Sequence, residues 1–293
     1  MAEIRRPLGR TEIVGLLEGI GRRPSRALGQ NFVTDPNTVT RIARLARVGE
    51  GDRVVEVGAG LGSLTVALAA TGASVVAIEV DSHLLPALRE VVEPLGGVRV
   101  VEGDAMRLDW ASVLGSDASH DPQSWVLVAN LPYNIATPLV VKVLEEVPAV
   151  ARLLVMVQRE VGERLAAGAG DPAYGAVSVK IAWFAEAAVV GNVPRAVFLP
   201  RPNVDSVLVA ITRRSAPAVD PALVPYGELI SLVRMGFAGR RKMLRRALQG
   251  RVDALAFEAA GVAPESRAEM LDVYAWGRLA QCQRSLASQP PPN

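Results

Sequence analysis

Short apolar runs alternate with amphipathic stretches through the first two thirds of the chain. The amphipathic stretches have helical periodicity and lie at Leu61–Ala70, His83–Val92 and Pro138–Glu146. Apolar runs of this kind are typical of strands that are covered on both faces of a sheet. They are Arg53–Val57, Ser74–Glu79, Val98–Glu102, Trp125–Ala129 and Leu153–Gln158. The alternation predicts βαβ units and therefore an α/β fold with a mostly parallel, doubly wound sheet.

The last third of the chain follows a different pattern. Val204–Ile211 has the composition of one more strand, a polar connection follows at Arg213–Pro221, and the remainder is helical. We therefore predict two domains, an α/β domain at residues 1–212 and a smaller all-α domain at residues 213–293. The first of these carries a basic N-terminal extension at residues 1–28, and the terminal SQPPPN is expected to be disordered.

The distribution of charge changes what the composition implies. The chain has 293 residues with 50% apolar and 21% charged residues, which excludes wholesale disorder. Its net charge of only +2 argues at first against a nucleic-acid binder. However, residues 1–26 carry a net charge of +3, residues 27–193 carry −7 and residues 194–293 carry +6. The two basic ends therefore favour a nucleic-acid partner.

Cysteine and histidine are scarce, which limits the possible chemistry. Cys282 is the single cysteine, and His83 and His120 are the two histidines. An internal disulfide is therefore excluded, no zinc-ligand spacing is present, and a histidine-based triad has few candidates. The first residues lack the apolar core of a signal peptide, so we expect a reducing, cytoplasmic setting and no metal.

Three consecutive strand ends carry residues suited to a nucleoside-bearing ligand. The first predicted strand runs into Gly58, Gly60 and Gly62, a spacing that differs from the dinucleotide fingerprint. Glu79 ends the next strand, where a carboxylate can accept hydrogen bonds from ribose hydroxyls, and Asp104 follows the third, where it could accept from an adenine amino group. Open α/β sheets bind ligands at these strand ends. The combination resembles class I S-adenosylmethionine-dependent methyltransferases, which have a Rossmann-like fold.

The fourth strand ends in Asn130-Leu131-Pro132-Tyr133, which suits methylation of an exocyclic amine. The lone pair of such an amine is delocalised into the base, so two acceptors for its hydrogens would align it and favour a more localised lone pair. The Asn130 side-chain oxygen and a main-chain carbonyl at Leu131 or Pro132 could be these acceptors. The Tyr133 ring could stack on a flipped-out base. Catalysis would then consist of positioning and hydrogen bonding.

Six sequence strings together resemble the KsgA family of ribosomal RNA adenine dimethyltransferases, across roughly residues 25–250. They are NLPYNIATP at 130–138, Gly29–Phe32, Met156–Val161, Tyr174–Val179, Phe198–Pro202 and Gly239–Lys242. The resemblance implies that Phe198 closes over the target adenine opposite Tyr133. It also implies contacts to S-adenosylmethionine from Asn31, Val33, Gly58, Gly60, Glu79, Asp104 and Asn130.

The resemblance further implies a reaction and a partner. The family transfers four methyl groups to two adjacent adenosines in a hairpin loop near the 3′ end of small-subunit ribosomal RNA. The expected partner is therefore a precursor of the 30S subunit, and we expect a cytoplasmic monomer that binds neither membrane nor DNA. Two alternatives stay open: an Erm-type methyltransferase of large-subunit ribosomal RNA, and a non-catalytic small-subunit assembly factor.

Basic residues near the C-terminus are candidates for RNA contacts. Arg240, Arg241, Lys242, Arg245 and Arg246 fall in a predicted helix whose apolar residues can pack inward. Arginine pairs with phosphate and stacks on bases, so we predict an RNA-binding face rather than a merely solvated one. The N-terminal Arg22 and Arg23 are a second candidate, for which a solvated surface is an equal alternative.

Overall fold

The chain divides into two compact units. The computed structural model describes residues 6–25, 29–115, 125–239 and 241–287. The first unit comprises Met1–Gly162 and Ala188–Arg213, and the second comprises Glu163–Ala187 and Arg214–Asn293. The last change of unit thus falls next to the boundary predicted at 212/213. The segment Glu163–Ala187 differs from the prediction, since it groups with the second unit although it precedes that boundary.

Nine strands form two sheets among the described residues. The larger sheet has the order β4-β3-β2-β5-β6-β9-β7, and a small antiparallel sheet joins β1 to β8. Strands β2 to β6 pair in parallel and β9 runs antiparallel to β6, which confirms the mostly parallel sheet. The strands are β1 Phe32–Val33, β2 Arg53–Val57, β3 Ser74–Glu79, β4 Val98–Glu102, β5 Trp125–Asn130, β6 Val150–Gln158, β7 Ala185–Val193, β8 Phe198–Leu199 and β9 Ser206–Arg213.

Twelve α-helices occur in the described ranges, and local sequence explains where several of them begin. Helix α2 starts with Pro36 at its first position, and the Asp35 carboxylate accepts the N–H groups of Asn37 and Thr38. The helices are α1 Arg10–Gly19, α2 Pro36–Ala46, α3 Ser63–Ala69, α4 Leu85–Val92, α5 Trp110–Leu114, α6 Ala136–Glu146, α7 Arg159–Ala166, α8 Ala176–Phe184, α9 Tyr226–Ala238, α10 Leu244–Ala247, α11 Ala254–Ala260 and α12 Val273–Ala287. In the part of the chain that is described, no helix combines the length and apolar character needed to span a bilayer.

The core of the first unit lies along the central strands. Nearly every residue of β2, β3 and β5 is buried, as expected where helices cover both faces of a parallel sheet. The two edge strands are more exposed: β4 has no buried residue, and β7 exposes Val189 and Val190. The apolar residues of β7 are interrupted by Glu186 and by Gly191 and Asn192, which is why the hydrophobic pattern did not reveal it.

The second unit is held together by its own hydrophobic cluster. Trp183 of α8, Val233 of α9 and Trp276 of α12 are almost completely buried in it. The buried Tyr174 hydroxyl donates to the carbonyl of Leu271. Because α8 contributes Trp183 to this cluster, the helical part of the segment Glu163–Ala187 belongs with the later helices, and only its last residues, Ala185–Ala187, begin β7. The terminal SQPPPN, predicted to be disordered, lies outside the described residues.

Candidate active site

One pocket of the first unit collects most of the predicted site residues. It lies where the carboxyl ends of the parallel strands meet, as open α/β sheets dictate. Glu56, Phe32 and Gln30, to which the sequence assigned no individual role, also line it. The predicted residues that line it are Asn31, Val33, Gly58, Gly60, Glu79, Asp104, Asn130, Leu131, Pro132 and Tyr133.

The glycine turn after β2 leaves the backbone bare towards this pocket. Gly58, Gly60 and Gly62 have φ angles of +77°, +60° and +87°, a region that side chains rarely adopt. A Cβ on Gly60 would also lie 3.0 Å from the Phe32 ring, and one on Gly62 would lie 3.0 Å from Leu88. Both the backbone conformation and the available space therefore require glycine, and they fit a ligand that approaches the main chain closely.

Glu79 is a buried carboxylate held in a fixed orientation at the end of β3. Its side chain is 5% exposed, and its Oε2 accepts the N–H of Gly60 at 2.7 Å. Its Oε1 accepts the N–H groups of Val80 and Asp81, each at 2.9 Å. Burial raises the pKa of Glu79, while these three N–H donors favour the charged form. A carboxylate has about four acceptor positions, so capacity remains for a ligand hydroxyl.

Asp104 lies just beyond the end of the next strand, β4. Its Oδ1 accepts the N–H of Met106 at 2.9 Å, which fixes the carboxylate in the loop. Asp104 and Glu79 follow neighbouring strands and both line the pocket. The pocket wall thus presents two carboxylates, as a ligand with several hydroxyl and amino groups would require.

Asn130 is oriented by the backbone of a distant segment. Its Nδ2 donates to the carbonyl of Asn31 at 2.9 Å, so Oδ1 is the atom left to accept from a substrate. The Asn31 side chain in turn donates to the carbonyl of Gly29 at 2.9 Å. The amide of Asn130 is therefore fixed with its Nδ2 towards segment 29–31.

The hydrogen bonds of the loop after Asn130 distinguish the main-chain carbonyls of Leu131 and Pro132, either of which the sequence allowed as the second acceptor. The carbonyl of Pro132 accepts the N–H groups of Ile135 and Ala136 at the start of α6. The carbonyl of Leu131 is therefore the better candidate for the second acceptor. Leu131 itself is buried, and its N–H donates to the carbonyl of Met156, which anchors the loop to β6.

The two predicted aromatic residues differ in their surroundings. Tyr133 lines the pocket, and burial raises the pKa of its hydroxyl, an effect that the nearby Ser206 opposes. Phe198 is only 2% exposed, belongs to the same hydrophobic cluster as Val33 and Val39, and does not line the pocket. In the β1–β8 pairing Phe198 lies opposite Val33, and its closure over the target adenine stays a prediction.

Glu56 is a buried carboxyl whose role the sequence reasoning missed. It is 1% exposed, lines the pocket, and its Oε2 accepts the hydroxyl of Thr65 at 2.6 Å. Burial raises the pKa of Glu56 to about 8, the Thr65 hydroxyl opposes this, and the charge of Glu79 adds to it. The signal was a lone glutamate inside the otherwise apolar strand β2, in a sheet that was expected to be covered on both faces.

Glu56 predicts a pH-dependent stability of the cofactor-free protein. Because the pKa of Glu56 is raised in the folded protein, its neutral carboxyl contributes to the free energy of unfolding. This contribution is fully present below about pH 4.5 and is lost as the pH rises to about 8. We expect the free energy of unfolding to fall over this range, and Glu56→Gln to flatten the slope. Denaturant unfolding from about pH 5 to about pH 8 measures it. Glu50→Gln, at an exposed carboxyl of the same unit, should keep the native slope, and equal slopes in native protein and Glu56→Gln would contradict the prediction.

The predicted RNA-binding residues lie on the surface where the structure describes them. Arg22 and Arg23 line a shallow pocket together with Gln30 and Asp81, while Arg241 and Lys242 are exposed ahead of α10. The predicted helix is shorter than expected, since only Leu244–Ala247 is helical. Arg245 pairs with Glu265 at 3.1 Å, whereas Arg240 and His120 lie outside the described residues.

Comparison with known protein families gives one match over most of the chain. Residues 22–283 match the family described as ribosomal RNA adenine dimethylase. A protein of Cutibacterium acnes named ribosomal RNA small subunit methyltransferase A is 46% identical over 284 residues, covering 93% of this chain and 92% of the relative. A protein of the same name from Thermobifida fusca is 46% identical, covering 89% and 91%.

Solved structures show the same similarity in three dimensions. A dimethyladenosine transferase of Plasmodium falciparum is 26% identical with a TM-score of 0.70, covering 84% of this chain and 94% of that one. The 23S rRNA methyltransferase ErmE is 25% identical with a TM-score of 0.67, covering 86% and 99%. Both likenesses extend over most of this chain.

Proposed function

Because the chain belongs to the ribosomal RNA adenine dimethylase family, we propose that it transfers methyl groups from S-adenosylmethionine to two adjacent adenosines in small-subunit ribosomal RNA. The two adenosines lie in the 3′-terminal hairpin loop, and each receives two methyl groups on N6. The observation that carries this proposal is the pocket that brings the glycine turn, Glu79 and Asp104 together with Asn130. The reaction contributes to maturation of the small subunit.

The residues around the glycine turn fit S-adenosylmethionine, which supplies an electrophilic methyl group on a sulfonium. The bare backbone at Gly58 and Gly60 permits close approach of the ligand. Glu79 would accept hydrogen bonds from the ribose hydroxyls through its remaining acceptor positions. Asp104 would accept from the adenine amino group, while Asn31 and Val33 also contribute to the lining.

Asn130 and Leu131 would hold the target amine. Oδ1 of Asn130 and the carbonyl of Leu131 accept the two amine hydrogens, which turns the nitrogen lone pair towards the methyl group. Tyr133 offers its ring to the flipped-out base. The nitrogen would gain a carbon–nitrogen bond while the methyl carbon–sulfur bond of the sulfonium breaks and the neutral thioether leaves. The alkylated nitrogen would then lose one proton to solvent, so no general base is needed before the attack. The rate enhancement comes from orientation in a preorganised polar site.

The alternatives fit the observations less well. The Erm-type alternative rests on a structural neighbour at 25% identity, whereas the relatives at 46% identity carry small-subunit names. A non-catalytic assembly factor would not need an oriented Asn130 beside two carboxylates in one pocket. The small-subunit enzyme is therefore the better explanation.

Methyl transfer from labelled S-adenosylmethionine to small subunits that lack the modification tests the proposal. We expect the label on two adjacent adenosines of the 3′-terminal hairpin, located by mapping the modified nucleotides. Large subunits from the same cells provide the comparison. Label in large-subunit RNA would favour the Erm-type alternative, and binding without any transfer would favour the assembly factor.

The exposed basic residues before α10 are proposed to contact phosphates. The double variant Arg241→Gln/Lys242→Gln should lower the affinity for the small subunit, because each lost phosphate contact removes released counterions. The slope of log affinity against log salt should decrease by about 1 per residue. Filter binding at several salt concentrations measures this.

A double variant in the first unit provides the matched control. Arg44→Gln/Arg89→Gln removes the same charge from two exposed positions of α2 and α4. This variant should keep the native salt slope. An unaltered slope in the Arg241→Gln/Lys242→Gln variant would show that those two charges are only solvated.

We also propose that the protein acts as a cytoplasmic monomer without membrane or DNA partners. The support for the cytoplasm is that the relatives of this chain carry small-subunit ribosomal RNA names. Analytical ultracentrifugation of the free protein checks the monomer.

A further inference from the structure

A series of hydrogen bonds joins the ribose end of the pocket to the catalytic asparagine. The N–H of Asp81 donates to Oε1 of Glu79 at 2.9 Å, and the Asp81 carboxylate accepts Nε2 of Gln30 at 2.8 Å. Gln30 is followed by Asn31, whose carbonyl accepts Nδ2 of Asn130 at 2.9 Å. Gln30 therefore stands between the two carboxyl-terminal strand ends that the proposed reaction uses.

Both ends of the Gln30–Asp81 hydrogen bond are fixed by further contacts. Oε1 of Gln30 accepts the N–H of Ser25 at 2.7 Å, and the Gln30 N–H donates back to the Ser25 carbonyl at 3.0 Å. The other carboxylate oxygen of Asp81 accepts the N–H of His83 at 3.1 Å. Nε2 of Gln30 thus has a defined orientation, and Asp81 cannot turn away without losing a second hydrogen bond.

The segment 29–31 packs closely against the loop that carries the chemistry. Gly29 has φ +65°, and a Cβ at this position would lie 3.1 Å from the Cβ of Pro132. The Asn31 side chain donates to the Gly29 carbonyl, which closes the turn. A shift of this segment would therefore move the Asn31 carbonyl that orients Asn130.

We infer that Gln30 is a positioning residue, whose hydrogen bond to Asp81 holds segment 29–31 so that Asn130 presents Oδ1 to the target amine. Both polar ends of the Gln30 side chain are held by the protein, so the side chain fixes segment 29–31 and acts through Asn130. The inference rests on the proposed function. It adds that the ribose-holding strand end and the amine-holding strand end are coupled through one glutamine.

Exchanging the hydrogen-bonding roles of the pair tests the inference. Gln30→Glu places a second carboxylate next to the Asp81 carboxylate, so the hydrogen bond is replaced by repulsion. Asp81→Asn alone leaves one side-chain oxygen where two were used, one to accept from Gln30 and one from His83. In Gln30→Glu/Asp81→Asn, the new amide donates to the new carboxylate, so the contact returns with its direction reversed. We expect kcat of Gln30→Glu to fall about tenfold or more, with KM for small subunits within about twofold of native. The double variant should recover most of the loss.

A second glutamine–aspartate pair provides the matched control. Gln283 of α12 donates to the Asp253 carboxylate at 3.3 Å, and its Oε1 accepts the Asp253 N–H at 2.8 Å, as Gln30 does with its neighbours. Gln283→Glu makes the same chemical change in the second unit and should leave kcat native. Gln30→Met removes the donor without adding charge and should lower kcat like Gln30→Glu, with an unchanged circular dichroism spectrum.

The failure of the inference can be told apart from failure of the proposed function. Calorimetry without RNA should show weaker binding of S-adenosylmethionine to Gln30→Glu and recovery in the double variant, whichever RNA is methylated. The inference is overturned by a Gln30→Glu enzyme with native kcat and native cofactor affinity, or by a double variant no better than the single ones. Failure of the native chain to methylate small subunits would contradict the proposed function instead.

Discussion

Replacing Asn130 by alanine is expected to lower methyl transfer by at least about 10²-fold, because preorganised acceptors contribute on this scale. Oδ1 of Asn130 is the acceptor that the Asn31 carbonyl leaves directed at the substrate, and alanine removes it entirely. Affinity for the small subunit should stay near native, since the proposed phosphate contacts lie elsewhere in the sequence. Single-turnover transfer from labelled cofactor and filter binding separate the two effects.

Asn134 provides the control for this substitution. It lies in the same loop, is exposed and does not line the pocket. Asn134→Ala should therefore keep most of the activity. Native turnover in Asn130→Ala would remove the proposed role of the side-chain oxygen and leave the main-chain carbonyl of Leu131 as the principal acceptor.

Replacing Glu79 by alanine is expected to weaken binding of S-adenosylmethionine by about 1.5–3 kcal/mol, the usual contribution of hydrogen bonds to a charged acceptor. This corresponds to roughly a ten- to hundredfold rise in Kd. The same change leaves the N–H groups of Gly60, Val80 and Asp81 without their acceptor, which loosens the turn. Isothermal calorimetry measures the change directly.

Glu102 provides the control for Glu79. It is the last residue of β4 and pairs in register with Glu79, but it is exposed and does not line the pocket. Glu102→Ala removes the same charge at the same edge of the sheet and should leave the affinity unchanged. An equal loss in both variants would mean that long-range charge, and not a hydrogen bond, governs the binding.

The sequence predicted the parallel core of the first unit well, because strands buried on both faces leave compact apolar runs. Arg53–Val57, Ser74–Glu79 and Val98–Glu102 are strands with the predicted bounds. Strand β7 escaped prediction because Glu186, Gly191 and Asn192 interrupt its apolar residues. The sequence also did not predict that Glu163–Ala187 belongs to the second unit. The pattern of a helix such as α8 shows which residues are apolar, but it does not show which hydrophobic cluster they pack into.

The candidate site was predictable in its residues but not in its internal contacts. Strand ends of a parallel sheet share one edge, so Glu79, Asp104 and Asn130 could be grouped from the pattern alone. The contacts between Gln30 and Asp81 and between Asn31 and Asn130 join residues far apart in sequence, and no periodicity encodes them. The burial of Phe198 and its pairing with Val33 of β1 were not encoded in the motif either, and its predicted place beside the adenine stays a prediction.

The path of the chain through the two units restricts how the protein can be divided. The sequence leaves the first unit after Gly162, returns at Ala188 and leaves again after Arg213, so the two units are interleaved. A single cut at the predicted boundary would strip α8 of its neighbours and expose Trp183. Neither unit of this chain is therefore one continuous segment, so a chimera that exchanges a whole unit needs more than one junction.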